Sequence, residues 1–127
     1  MYREITDGIQ VDVEPAFVPE RSDPERNYFF FDYKISIKNI GQTTAQLINR
    51  HWVITDGNGK VEHVRGPGVV GEQPTLEPGQ EFEYISHCPL STPTGNMRGI
   101  YGMQTPDGKN FEVKIPLFFL RDLRSLH

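Results

Sequence analysis

A chain of 127 residues, 36% hydrophobic and 11% aromatic, fits one globular domain spanning 1–127 with one core. Its net charge of -4, with the 13 basic residues dispersed, gives no electrostatic footprint for nucleic acid or an anionic membrane. The single cysteine, Cys88, excludes an internal disulfide, and no apolar run reaches membrane-spanning length. Met1 to Asp7 lacks the apolar core of a signal peptide, so a cytoplasmic protein without membrane insertion is expected.

In chain order, Ile9, Val11 and Val13 alternate with Gln10, Asp12 and Glu14 until Pro15 and Pro19 intervene, which predicts a half-buried strand at a sheet edge. A charged loop, Glu20 to Asn27, precedes the clearest strand: Phe29, Phe31, Tyr33, Ile35 and Ile37 alternate with Phe30, Asp32, Lys34, Ser36 and Lys38. Asn39 to Gln42 ends it with turn chemistry. Ala45 to Thr55 reads as a strand with an untidy pattern, because Ile48, Trp52 and Ile54 share one face with Arg50 while Leu47 and Val53 share the other with His51. The Asp56-Gly57-Asn58-Gly59 hairpin leads into Lys60 to Arg65. Further strands are expected at Glu81 to Ser86, with Phe82 and Tyr84 inward, and at Met97 to Gln104, where Gly99 among Met97, Tyr101 and Met103 signals close backbone approach. The last expected strand carries Phe111, Val113, Ile115 and Leu117 on one face, and the tail from Phe118 to His127 holds a helical turn or packs on the core. Seven or eight short strands without an amphipathic helix predict an all-β fold. Its expected form is a two-sheet antiparallel β-sandwich of the immunoglobulin or fibronectin type III kind.

Between the strands, Gly66-Pro67-Gly68-Val69-Val70-Gly71 has the GxGxxG spacing of a dinucleotide loop. Pro74 and Pro78 follow too closely for a helix to receive a pyrophosphate, so the stretch reads as a structured loop. A small-anion role for its backbone (Gly66, Gly68, Gly71) with Arg65 is the functional alternative, weakened because Pro67 lacks an amide and Glu72 adds a carboxylate. Arg50, His51, Glu72 and Gln73 form a candidate protein-contact surface, since loops on a rigid sandwich carry recognition. The sequence contains no catalytic elbow and no His-Glu-x-x-His motif. Adjacent strand residues point to opposite faces, so His87 and Cys88 make neither a nucleophilic pair nor more than weak metal candidates, and no cofactor is implied. The four histidines include no pair at helical spacing.

Arg50 to Asp56, Gly66 to Pro74 and Leu76 to Gly79 resemble the signature blocks of the ApaG family, also called CorD. The likeness continues through Phe82 to Tyr84, Leu90 to Met97, Gly99, Tyr101 and Ile115-Pro116, nearly the whole chain. The resemblance implies a fibronectin-type sandwich in a bacterial cytosolic protein linked to cobalt resistance and magnesium efflux, with no settled molecular activity. Similar domains occur in eukaryotic F-box proteins and a DNA polymerase-interacting protein, which implies protein recognition by a non-enzymatic module with an unidentified protein partner. A family gene neighbouring a diadenosine tetraphosphate hydrolase gene implies the pyrophosphate or nucleotide alternative. His87 stands where the family has glycine, which questions a tight turn after Ser86. The edge expected at Gly8 to Phe17 allows a homodimer through strand pairing.

Overall fold

The computed structural model describes residues 1–126; His127 lies outside them. Nine strands, β1 (Tyr2–Thr6), β2 (Ile9–Phe17), β3 (Phe29–Asn39), β4 (Ala45–Asp56), β5 (Val61–Pro67), β6 (Thr75–Leu76), β7 (Glu81–Leu90), β8 (Thr94–Gln104) and β9 (Asn110–Arg121), form two antiparallel sheets. One runs β1-β2-β3-β7, and the other runs β5-β4-β8-β9 with β6 paired to the start of β4. The architecture is the expected antiparallel β-sandwich, and among the described residues the helical turns are all 3-10, including one at Leu123–Leu126 in the tail.

Alternation decides which side chains enter the core. Ile9, Val11 and Val13 of β2 and Phe31, Tyr33, Ile35 and Ile37 of β3 face Leu47, Trp52, Met97, Tyr101, Met103, Val113, Ile115, Phe118 and Leu120 of the second sheet. An aromatic cluster joins the layers: Trp52 meets Tyr33 edge-on at 5.5 Å and Phe118 at 5.9 Å between ring centroids. Burial of these rings and aliphatic chains takes the place of the disulfide found in antibody domains.

Four expectations are corrected. The Ile9 strand is not an edge: Asp7 and Gly8, at φ 48° and 80°, close a two-residue turn that folds β1 back onto it, pairing Tyr2 with Val13 and Thr6 with Ile9. Only the Glu14 to Phe17 end of β2 is left without a β1 neighbour, so the edge proposed for copy-to-copy pairing is largely covered. The strand expected to stop at Ser86 continues to Leu90, and Cys88 lies within it opposite Phe31. Pro89 is tolerated because its partner Phe30 spends its backbone N–H on the Ser22 hydroxyl and its carbonyl on the Val18 amide, away from β7. Leu117 points outward, 48% exposed, since Pro116 and Leu117 together oppose Arg98 in a bulge that reverses the alternation and turns Phe118 and Leu120 inward. The untidy pattern of β4 has the same cause: a bulge at Ile48 lets both Leu47 and Trp52 face the core.

The close approach expected at Gly99 is present. A Cβ there would lie 2.5 Å from the His51 carbonyl oxygen and 3.2 Å from the Trp52 ring.

Candidate functional site

The bulge at Ile48 also positions the glycine loop. Its carbonyl accepts hydrogen bonds from the Gly68 amide and from Nε2 of Gln73, at 2.9 and 2.8 Å. Two residues on, Nη1 of Arg50 donates to the carbonyls of Pro67 and Gly68, each at 2.8 Å. Nε2 of Gln46 holds the Gln73 carbonyl, and the Leu47 amide holds that of Pro74. Within the loop Val69 and Glu72 exchange both backbone hydrogen bonds, closing a tight turn over Val70 and Gly71 at φ 44° and 81°. Gly68 is required, because φ is 58° and a Cβ would come within 2.2 Å of the Glu72 carbonyl oxygen.

These bonds separate the residues expected to act together. Arg50 and Gln73 tie the loop to β4 and are not free contact residues, whereas His51 and Glu72 remain on the surface. The loop turns carbonyls, not amides, toward Arg50, and the amides of Gly68, Val69 and Glu72 are spent on protein acceptors. Gly66 lies in β5 opposite Arg50, Gly71 sits exposed in the turn, and Arg65 projects on the outer face opposite His51. Arg65, Gly66, Gly68 and Gly71 therefore do not converge as one anion nest.

His87 and Cys88 likewise part company. The His87 ring lies on the outer face against Phe30, with centroids 5.3 Å apart and Asp32 opposite, so no tight turn forms after Ser86. Cys88 is buried inside, and burial, with a smaller contribution from Glu62, pushes its thiol up to about 12. Such a thiol is neither a ready nucleophile nor a ready ligand. Among the described residues no three His, Cys, Asp or Glu side chains converge on one point. The pattern carries no signal for the imidazole pair that meets among the described residues, Nε2 of His51 and Nδ1 of His63, 2.9 Å apart across β4 and β5.

Beneath the loop the sandwich opens between the edge strands β5 and β7. A cleft of about 260 Å³ there is lined by Tyr33, Arg50, Trp52, Val64, Tyr84 and Ser86, with Val69 and Val70 of the loop at its rim. The Tyr84 hydroxyl makes a short hydrogen bond to that of Tyr101 across the two sheets. Burial pushes the phenols of Tyr33, Tyr84 and Tyr101 up, the Ser86 hydroxyl and the Arg50 charge acting the other way on Tyr33. A larger hollow of about 630 Å³ lies between the turns near Asn39 and Thr105, but the Asn39 amide is spent on the Thr43 and Leu76 carbonyls and the Thr105 hydroxyl on Asp107.

Fold and site together define a small single-sheet-pair β-sandwich that displays a pinned glycine loop above an interstrand cleft. Residues 19–105 match the model of the ApaG domain, and the chain belongs to the ApaG family. It is 53% identical over 119 residues to Protein ApaG of Dechloromonas aromatica, covering 94% of each chain. It is 56% identical over 120 residues to Protein ApaG of Brucella anthropi, covering 94% of this chain and 92% of that one. The crystal structure of the putative ApaA protein from Bordetella pertussis superposes with a TM-score of 0.87 at 51% identity, over 89% of this chain and 92% of that chain.

Proposed function

We propose that this protein is a non-enzymatic, cytoplasmic protein-recognition module whose contact surface is centred on the Val69 to Glu72 turn and extends to His51. The observation that carries the reading is Val70. A β-branched residue at φ 44° is strained by roughly 1–3 kcal/mol, yet its side chain stands 54% exposed at the tip of the turn. Arg50 and Gln73 hold the base of that turn, so the apolar tip is presented on a fixed support. Exposed apolar groups on such supports suit protein contacts. The family's link to cobalt resistance and magnesium efflux then runs through a protein partner and not through direct ligation. A pyrophosphate or nucleotide held by the loop backbone is the weaker alternative, since the Gly68 amide and its neighbours at Val69 and Glu72 are already used.

Replacing Val70 with glycine tests the reading, because glycine adopts positive φ without strain. The V70G variant is expected to melt no lower than the parent and to lose the proteins that the immobilised parent retains from cell extract. A variant on the remote outer face, Lys34→Ala, is expected to retain them. Retention of the same set by well-folded V70G would defeat the proposal.

A further inference from the structure

Among the described residues no carboxylate forms an ion pair with Arg50. It is half-buried, and the ion pairs among the described residues involve Arg3, Arg26, Lys34 and Arg124 instead. A guanidinium has five donor hydrogens, and only those on Nη1 are engaged, by the Pro67 and Gly68 carbonyls. Among the described residues no protein acceptor meets the Nε and Nη2 edge. Gly66 lets the guanidinium lie close over the β5 backbone, for a Cβ at this position would stand 3.0 Å from Nη2 and 3.2 Å from both Cζ and Nη1. A partly desolvated cation with two parallel free donors is matched by a planar bidentate anion, and a carboxylate has that geometry.

We propose that the cleft between β5 and β7 is a carboxylate site, in which the free edge of Arg50 pairs with the carboxylate and Trp52, Val64 and Val70 enclose the apolar body that bears it. The hydroxyls of Tyr33, Tyr84 and Ser86 line the same cleft and supply neutral polar groups around the anion. With their phenols pushed up by burial, Tyr33 and Tyr84 stay uncharged and do not repel it. Glu62 and Glu72, the acidic residues of the adjoining strand and loop, do not line the cleft and do not pair with Arg50. The volume of about 260 Å³ suits a small acid with one aromatic or branched group. Because the cleft opens at a sandwich flank, the carboxylate could also belong to a peptide terminus. The site shares Val70 with the proposed recognition surface but does not rest on that reading, and it is tested with small molecules alone.

Trp52 is the only tryptophan and forms a wall of the cleft, so its fluorescence reports occupancy. The parent protein is titrated with phenylacetate and with phenylacetamide, and with the tetrapeptide Gly-Gly-Gly-Phe bearing a free or an amidated C-terminus. Saturable binding of a free carboxylate, at least tenfold tighter than its amide, is expected. Arg50→Lys, which forfeits the fork, and Val64→Glu, which places a competing carboxylate in the cleft while sparing the loop ties, are each expected to weaken binding at least tenfold. Arg65→Ala on the outer face is expected to bind as the parent does. Tighter binding of phenylacetate than of the tetrapeptide identifies a free acid as the ligand source, and the reverse identifies a protein terminus; either supports the site. Equal binding of acid and amide, undiminished binding by folded Val64→Glu, or equal losses in Arg65→Ala and Arg50→Lys would overturn it.

Discussion

Tyr84 of β7 and Tyr101 of β8 meet hydroxyl to hydroxyl in a short polar bond that crosses from sheet to sheet beneath the cleft. Their surroundings differ: Tyr101 is fully buried, whereas Tyr84 lines the cleft. Removing the Tyr84 hydroxyl strands that of Tyr101 away from water, at a cost of about 1–3 kcal/mol. Removing the Tyr101 hydroxyl leaves Tyr84 able to bond water from the cleft and costs less. Urea denaturation is therefore expected to rank Y84F as less stable than Y101F, with the double variant close to Y101F. A Y101F protein as unstable as Y84F, or a double variant showing the two losses added, would contradict this account.

Alkaline stability follows from the same buried groups. Burial raises the pH at which Cys88, Tyr33, Tyr84 and Tyr101 ionise, so above their ordinary values the unfolded chain loses protons that the folded chain keeps. In that range the unfolded state binds fewer protons, and stability must fall as pH rises. For Cys88 the window opens near the ordinary thiol value of about 9 and closes at about 12. Urea midpoints are expected to decline through this window, and Cys88→Ala is expected to delay the onset. In the folded protein at pH below the window, Cys88 is expected to resist iodoacetamide until denaturant is added. Rapid alkylation of the native protein would mean that the thiol is reachable.

Local sequence accounts for much of the sandwich but little of the site. Alternation in Phe29 to Lys38 is so regular that β3 and its inward face are legible directly. The β1 hairpin has a local signal in Asp7-Gly8, but the strand before it turns Ile5 outward and Glu4 inward, so no apolar alternation marks it. Bulges at Ile48 and Pro116 insert one residue each, and an insertion shifts a period of two without leaving any composition mark. Pro89 reads as a breaker from sequence alone, since only the topology reveals that it sits on an edge strand. Arg50 reads as a polar residue on a mixed face, but its tie to Pro67 and Gly68 joins positions 17 and 18 residues apart. The cleft is drawn from β3, β4, β5, β7 and β8, a convergence that register creates and local pattern does not encode.

His51 provides the remaining test, on the outer face of the second sheet. Partial desolvation lowers its ionisation first, the Arg65 guanidinium and the His63 ring contribute further, and Glu112 acts upward. The contact between Nε2 of His51 and Nδ1 of His63 requires one ring to donate and the other to accept, so double protonation breaks it. Histidine titration by NMR is expected to place the His51 midpoint below the ordinary value of about 6.5. Arg65→Ala should move the midpoint up and Glu112→Gln should move it down. The folded His51 takes up its proton less readily than the unfolded one, so its stabilising contribution is present above the ordinary value and is lost as pH falls from there through the lower folded midpoint. A midpoint at or above the ordinary value, or one unmoved by Arg65→Ala, would show that neither desolvation nor the arginine governs this imidazole. In that case the close pair with His63 would have to persist in a charged form, with a proton held between the two rings.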